Sequence, residues 1–354
     1  MLLPSNPTVT LVLLLMAAAC WGLWANFLKA RGKWRYELYF LDFALGFAIT
    51  AILAALVLGS FDANELTFQD NLALTGYRKM GWSLAGGFLF GTGAFLLAGA
   101  AVLAGLSIAF PISMGVALII HVIWSSIETP AGNLFLDLGG AGCILLAVIL
   151  AAYAHSARYD LIQEEAANVA LQPDPRFGPG GRRKAPPVGA ARGNVLAIFS
   201  GLFMGLFGQF VDNARFGDDG VSPYGLGLLT AAGLIFSLLF VAPISWNFPA
   251  QGRSLGFRDY VSGRLTNHAA GWLGGMVAGA GIVAGFISAG SAGGARTTQS
   301  LSYGVPQAAA VVAALCGLLL WREFRPANGR VLGIFLLALA FFCTGVLLSA
   351  VAQV

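Results

Sequence analysis

Two indoles and an amide lie close together in the first apolar run of the sequence, AACWGLWANF. Residues three or four positions apart share a helical face, so a helix would present Trp21 and Trp24 side by side, with Asn26 nearby. An indole face suits the C–H surface of a sugar ring, and an amide both donates and accepts hydrogen bonds. This spacing favours a binding wall for a small polyol. The alternative is an aromatic pair at a lipid–water interface.

Two more polar side chains lie within later apolar runs, where each needs a partner or a function. Gln209 occupies the position equivalent to Asn26 and offers the same neutral amide. His121 carries an imidazole, which titrates near neutral pH. We expect His121 to be a hydroxyl partner or a protonatable group in a binding site. The alternative is a neutral histidine that hydrogen-bonds to a neighbouring helix.

A third group recurs at a spacing of four residues near the C-terminus. Gln299, Tyr303 and Gln307 would share one helical face, beside Pro306. A proline inside a helix frees a backbone carbonyl one turn earlier, which must then find another partner or face a cavity. Pro111 and Pro306 are therefore predicted hinges, unless their kinks serve packing alone.

The composition determines which elements can position these side chains. Of 354 residues, 58% are hydrophobic and only 10% are charged, against about 25% charged residues in soluble domains. Apolar runs of about 18 residues or more can cross roughly 30 Å of hydrocarbon. We therefore predict an all-α, multi-pass membrane protein, without cofactor or metal. Four cysteines lack the spacing of a zinc site: Cys20, Cys143, Cys316 and Cys343.

Ten membrane spans are predicted from these runs, in two groups of five. Their approximate bounds are 8–28, 37–58, 82–103, 106–127, 135–154, 194–212, 224–243, 269–289, 301–320 and 331–352. Residues 154–193 form a Pro-, Gly- and Arg-rich segment with too little apolar content to fold alone. The predicted units are therefore a first five-helix repeat, 1–153, a disordered cytoplasmic linker, 154–193, and a second repeat, 194–354.

The two groups repeat one pattern. Leu106 to Glu128 and Leu301 to Glu323 share Leu-Ser-x-x-x-Pro, a long apolar run and a final Glu without a gap. WGLWANF in the first span is matched by MGLFGQF in the sixth. Small-xxx-small pairs, which let helix backbones approach closely, follow in the third and eighth spans: Gly87 and Gly91, and Gly275 and Gly279.

The positive charges predict the orientation. The loops after odd-numbered spans hold 16 of the 20 Lys and Arg residues, and such loops face the cytoplasm. Both termini are then outside the cytoplasm, and the second half is inverted relative to the first. Inverted repeats of this kind support alternating access around a site near the middle of the membrane.

The stretches AACWGLWANFLKARGKWRYELYF and FLFGTGAFLLAGAAVLAGLSIAFPISMGVALII resemble the rhamnose–proton symporter and its sugar-porter relatives. In architecture the whole chain is similar to the drug/metabolite transporter superfamily, and the detailed motifs cover the first half. The resemblance implies a permease in a bacterial-type inner membrane. It also implies proton coupling, for which Asp42 and His121 are the candidates. For Asp42 the alternative is a salt bridge to Lys29 or Arg35.

The predicted function is secondary active transport of a small polar solute, most simply a monosaccharide such as rhamnose. The alternative within transport is an exporter of amino acids or other metabolites, which a cationic cavity residue would favour if the solute is an anion. Asp212, Asn213 and Arg215 end the sixth span and are interpreted as a solvated helix end. An integral-membrane enzyme and a sensor are further alternatives. The sequence contains no GxxxxGK[ST] motif, so ATP-driven transport is not expected. Nucleic acid is not an expected partner.

Overall fold

The computed structural model describes residues 1–4, 6–31, 34–61, 67–128, 133–171, 190–290, 307–325 and 327–352. Within these ranges the regular elements are helices: α1 Pro7–Leu23, α2 Ala25–Ala30, α3 Tyr36–Ala54, α4 Phe68–Leu74, α5 Tyr77–Ala104, α6 Leu106–Glu128, α7 Leu134–Leu171, α8 Ala190–Arg215, α9 Pro223–Asn247, α10 Phe257–Val261, α11 Leu265–Ala289, α12 Ala309–Leu315 and α13 Gly329–Ala352. π-Helical turns continue α3 over Ala55–Gly59 and α12 over Cys316–Leu320.

Nine helices in the described ranges are long and apolar enough to cross a membrane. These are α1 with α2, α3 with its π turn, α5, α6, α7, α8, α9, α11 and α13. A shorter apolar helix, Ala309–Leu320, falls within the predicted span 301–320, whose first residues lie outside the described ranges. The all-α class expected from the composition is confirmed for the described residues, and the nine helices fit a multi-pass membrane protein.

Helix α7 is longer than its apolar run. It continues to Leu171, so residues 154–171, which were predicted to belong to the disordered linker, are helical. The extension contains good helix formers, DLIQEEAANVAL, and Ala157 and Leu161 pack against the hydrophobic core. Composition alone missed this because a helix with few apolar residues does not stand out from a polar linker by its hydropathy.

Local capping determines where two of the long helices begin. α1 opens with Pro7 behind Asn6, whose side chain accepts a hydrogen bond of 2.9 Å from the backbone N–H of Thr8. α9 opens with Pro223 behind Ser222, whose hydroxyl caps in the same way. Proline suits the first helical position because no intrahelical partner exists there for a backbone N–H.

Glycines allow the central helices to pack backbone against backbone. A Cβ atom on Gly87 of α5 would lie 2.6 Å from the carbonyl oxygen of Thr230 in α9. A Cβ atom on Gly275 of α11 would lie 2.8 Å from the carbonyl carbon of Phe43 in α3. Both glycines belong to the small-xxx-small pairs noted in the sequence, and both interfaces show the close approach that such pairs allow.

The bundle has two distinct ends. α5 and α8 are antiparallel, since Gly86 lies against Phe210 and Ala104 against Gly193. We call the end where α8 and α11 finish the cavity end; Arg215 there reaches the carbonyl oxygen of Ala289. We call the end where α5 finishes and α6 begins the capping end.

Candidate functional site: a cavity between the helices

A cavity of about 200 Å³ lies between α1, α5, α6, α8 and α11 and extends to the cavity end. Four aromatic side chains, Trp21, Phe90, Phe207 and Phe286, form a band along its wall. Successive ring centroids in this aromatic band are 5.3, 5.0 and 6.4 Å apart, within the range of favourable ring contacts. Each ring comes from a different helix, so the band depends on the assembled bundle.

An ion pair lines the cavity near its outer limit. Arg215 Nε donates to Asp212 Oδ1 at 2.8 Å, and the two side chains are 15% and 18% exposed. The Arg215 guanidinium also lies 4.4 Å from the ring of Phe216. The sequence interpretation placed this pair on a solvated helix end. The structure instead brings both charges to the wall of the cavity, where Arg215 also reaches the carbonyl oxygen of Ala289 at the end of α11.

The glutamine–tyrosine face predicted in the ninth span is described only at its last member. Gln307 lines the cavity, and its buried Oε1 has no hydrogen-bond partner among the described residues. Gln299, Tyr303 and the predicted hinge Pro306 lie outside the described residues. The other predicted hinge, Pro111, is buried within α6, which continues through it.

The predicted wall of two indoles and an amide is not assembled at this cavity. Trp21 lines the cavity, but Trp24 is fully buried against Phe43 and Phe110. Asn26 accepts a hydrogen bond of 2.7 Å from Trp321 Nε1 near the capping end. Trp24, at the junction of α1 and α2, keeps helical backbone angles, and Asn26 lies about 140° around the helix from Trp21 because it is five positions later.

His121 and Gln209 come together, as part of one contact between α6 and α8. Gln209 Nε2 and His121 Nδ1 are 3.0 Å apart, and Gln209 is 4% exposed. Neither side chain is among those that line the cavity, although Gly208 beside Gln209 does. The arrangement matches the alternative considered for His121, a histidine that hydrogen-bonds to a neighbouring helix.

Asp42 has partners that the sequence did not suggest. Its fully buried carboxylate accepts from Tyr260 Oη at 2.7 Å and lies 2.9 Å from His268 Nδ1. Burial and then this carboxylate raise the pKa of the Tyr260 hydroxyl above its ordinary value, which keeps it a donor. The alternative considered for Asp42, a salt bridge to Lys29 or Arg35, is not formed in the described residues, because these two bases pair with Glu323 and Glu37.

The capping end is held by a carboxylate that caps a helix. Glu323 accepts hydrogen bonds from the backbone N–H groups of Leu106 at 2.8 Å and Ser107 at 2.9 Å. Lys29 Nζ forms an ion pair with the same carboxylate, which is 5% exposed. A carboxylate at a helix N-terminus satisfies N–H groups that have no intrahelical partner and interacts favourably with the helix dipole. We call Lys29, Glu323 and the first turn of α6 the Glu323 network.

Arg158 of α7 extends this network to a third helix. Its guanidinium donates to the carbonyl oxygens of Glu323 at 3.2 Å and of Ala104 at 2.8 Å. The Ala104 carbonyl belongs to the last turn of α5, where it has no intrahelical donor. The Glu323 network therefore ties the end of α5 and the start of α6 to the segment after α12.

The backbone around Glu323 takes a conformation that costs free energy. Arg322 is a non-glycine residue with φ of 50°, and such residues cost about 1–3 kcal/mol. Gly105 has φ of 95°, and a Cβ atom there would lie 2.7 Å from the Glu323 carboxyl carbon. The sequence marked Glu323 as the end of a repeat but assigned it no role. The sequence signal that could have indicated such a role is a glutamate that follows Trp321 at the end of an apolar run.

A second cavity, of about 600 Å³, lies at the capping end beside this network. Lys29, Trp34, Arg35 and Trp321 contribute to its lining. More charged side chains line it than line the first cavity. Its two basic residues, Lys29 and Arg35, are each paired with an acid. It meets α6 at its first residue, Leu106, whereas the first cavity meets α6 further along, at Met114 and Ala117.

Comparisons with known proteins inform the fold and not the activity. No family model matches the chain, and no curated protein matches it. Four solved chains are similar to it. One of them, a crystal structure, shares 18% identity and covers 99% of this chain and 98% of its own, with a TM-score of 0.52. At that identity the likeness concerns the fold alone: a similar arrangement of helices occurs, end to end, in an experimentally determined structure.

Proposed function

We propose that this chain is a secondary carrier that moves a small organic solute across a membrane by alternating access. One observation carries the proposal: a cavity between helices of both halves extends to one end, while at the other end the Glu323 network joins the start of α6 to Lys29 and to the segment after α12. A carrier needs a central site that is reached from one side at a time. The positive-charge pattern of the loops predicts that the capping end faces the cytoplasm.

The packing of the helices supports two inverted halves of five spans. With Ala309–Leu320 taken as part of a ninth span, α5 packs on α8 and α9, and α11 packs on α1 and α3. When the two halves are exchanged, the contact of α5 with α8 corresponds to that of α11 with α1. The contact of α5 with α9 corresponds in the same way to that of α11 with α3. The contacts of α6 with α8 and of α12 with α1 are related in the same way, and the pair α7 and α13 maps onto itself. This pattern is expected of a pseudo-two-fold axis.

The cavity supports a small solute more clearly than it supports a sugar. The monosaccharide expectation required Trp21, Trp24 and Asn26 to act together, and only Trp21 lines the cavity. Proton coupling through Asp42 or His121 remains a prediction that rests on the family resemblance.

Alternating access is testable without knowledge of the solute. In a variant without its four cysteines, Gly208→Cys would report on the cavity, since a Cβ there meets no atom within 4 Å. Ala104→Cys would report on the capping end, where Ala104 is fully buried. We expect a soluble maleimide to label the first position and not the second. Adding Glu323→Gln should raise labelling at Ala104→Cys about tenfold and lower it at Gly208→Cys, as about 1.4 kcal/mol of population shift requires.

The matched control is Glu164→Gln, which neutralises an exposed acid on α7 and should change neither rate. A rise at Ala104→Cys with no fall at Gly208→Cys would mean local loosening, and no change at either position would mean a static bundle. Either result would overturn alternating access.

A further inference from the structure

We propose that the capping end carries a binding site for an anionic phospholipid. The phosphate group of the lipid would bind in a third cavity, of about 480 Å³, which Arg31 and Arg264 line. Its acyl chains would contact exposed apolar side chains beside this cavity. The third cavity shares no described lining residue with the cavity of the aromatic band, so the inference goes beyond the proposed function.

The third cavity lies between the end of α2 and the start of α11. Its described lining combines the guanidinium groups of Arg31 and Arg264 with the polar side chains of Thr266 and Asn267 and the indole of Trp34. No acidic residue belongs to this described lining. A guanidinium binds phosphate oxygens through two parallel hydrogen bonds, and tryptophan is enriched where a membrane meets water. The lining therefore suits a phosphate group at a membrane surface.

The charges of this cavity differ from those of the first two. The base in the first cavity pairs with an acid of the same helix, and both bases in the second are paired as well. The side chains of Arg31 and Arg264 are exposed and have no ion-pair or hydrogen-bond partner among the described residues. An anion would therefore bind them without displacing a contact of the protein.

The segment along one side of the cavity has a positive balance of charge. Residues 248–264, between α9 and α11, contain three arginines and a single acid, Asp259. Asp259 pairs with Arg253 and accepts a hydrogen bond of 2.9 Å from the backbone N–H of Gly256. Its charge is matched there, and Arg264 stays uncompensated. Basic segments next to a membrane span attract anionic lipids.

Large apolar side chains of the same segment are exposed. Phe257 and Val261 lie one turn apart on α10 and are 66% and 64% exposed. Tyr260 of this helix donates to Asp42 in the bundle, which fixes α10 while these two side chains stay outside. Exposed apolar groups among charged residues mark sites for a membrane or a partner.

The position of the segment selects a lipid as the occupant. Residues 248–264 connect two candidate membrane spans, α9 and α11, so they lie where the chain leaves the hydrocarbon. Phe248, just after α9, is 83% exposed, and Leu265, the first residue of α11, is 72% exposed. Apolar groups at this level contact acyl chains, and a lipid phosphate at the same level reaches the cavity. A free anion would gain only the second interaction.

The test compares ligands with and without net charge and acyl chains. Native mass spectrometry of the purified full chain in detergent would follow binding of dioleoylphosphatidylglycerol and dioleoylphosphatidylcholine, with inorganic phosphate as competitor. We expect phosphatidylglycerol to bind at least about tenfold more tightly than phosphatidylcholine, whose choline group compensates the phosphate charge. Displacement should need at least about a hundredfold excess of inorganic phosphate, which has no acyl chains.

Three results on the unmodified chain would overturn the inference. Equal binding of the two lipids would remove the anionic preference. Displacement by an equal concentration of inorganic phosphate would make the cavity a site for a free anion. Tighter binding of an oligoglutamate peptide than of phosphatidylglycerol would assign the surface to a protein partner. Because this comparison needs no variant, poor folding of a variant leaves the test decisive.

Two variants assign the phosphate group to the cavity. Arg31→Gln and Arg264→Gln should each weaken phosphatidylglycerol binding about tenfold, as the loss of a hydrogen bond to a charged group implies. Arg258→Gln is the matched control, because Arg258 is exposed in the same segment and is not among the lining residues. It should weaken binding by less than about twofold. Equal losses in all three variants would mean diffuse attraction to a basic surface and would reject the site.

A further pair of variants tests the contact with acyl chains. Leu265→Ser should weaken phosphatidylglycerol binding about fivefold, since one apolar side chain loses its contact with the lipid. Leu74→Ser is the control, because Leu74 of α4 is 71% exposed, close to the 72% of Leu265, and lies outside the segment. It should leave binding unchanged. Equal losses in the two variants would contradict the acyl-chain contact beside the cavity.

Discussion

At the capping end, the Glu323 carboxylate meets two backbone N–H groups and an ammonium group, and 5% of its side chain is exposed. At the cavity end, Asp212 and Arg215 meet each other beside an aromatic wall and remain 18% and 15% exposed. The first set of charges holds helices together, whereas the second lies against a space that a ligand would fill. Ionisable side chains in this bundle thus bind backbone groups at one end and line a cavity at the other, and their partners distinguish the two arrangements.

The largest effect should follow from removal of the capping carboxylate. Glu323→Ala leaves Lys29 and two N–H groups of α6 without their partner, and breaking a buried pair costs about 3–5 kcal/mol. Thermal or denaturant unfolding in detergent would measure the loss. The matched control is Arg253→Ala, which removes the 79% exposed partner of Asp259 and should cost about 0–1 kcal/mol. Similar losses in both variants would mean that the capping end is not held by Glu323.

A smaller difference should separate two glycines, one at each end. Gly105→Ala places a Cβ atom 2.7 Å from the Glu323 carboxyl carbon, at a φ of 95°, and should destabilise by about 1–2 kcal/mol from the backbone alone. Gly208→Ala adds a methyl group that meets no atom within 4 Å. It should be neutral or stabilising by up to about 1 kcal/mol, since alanine favours a helix. The same unfolding measurement compares them, and equal effects would remove the proposed contrast between the ends.

The smallest effect concerns the link between the two halves near the Glu323 network. Trp321→Phe removes the 2.7 Å bond to Asn26, worth about 0.5–1.5 kcal/mol. It should raise the labelling of Ala104→Cys without a change in the fold, as circular dichroism would verify. Trp82→Phe is the control, because Trp82 packs edge-to-face on Phe210 at the other end. Increased labelling with Trp82→Phe alone would contradict this assignment.

Features that repeat along one helix were predictable from the sequence. Apolar length located the nine described spans, and the glycine pairs located the close helix contacts of Gly87 and Gly275. These depend only on hydrophobic thickness and on the absence of a side chain, which are local properties of a segment.

Features that depend on partners from distant segments were not predictable. Asp42 pairs with His268, which is 226 positions away, and no periodicity connects them. Asn26 lies five positions after Trp21, about 140° around the helix, and its side chain is bound by Trp321 from a segment almost 300 positions away. Arg215 lines the cavity together with residues from other helices, such as Phe286 of α11, a tertiary arrangement that hydropathy does not encode.

The aromatic band has a consequence for the temperature dependence of the proposed transport. A solute that covers Trp21, Phe90, Phe207 and Phe286 removes apolar surface from water, which gives binding a negative heat-capacity change. The contribution of such burial to affinity weakens on cooling. Under the proposed function, the apolar contribution to solute affinity should therefore fall in the cold, independently of any change in the fluidity of the surrounding lipid.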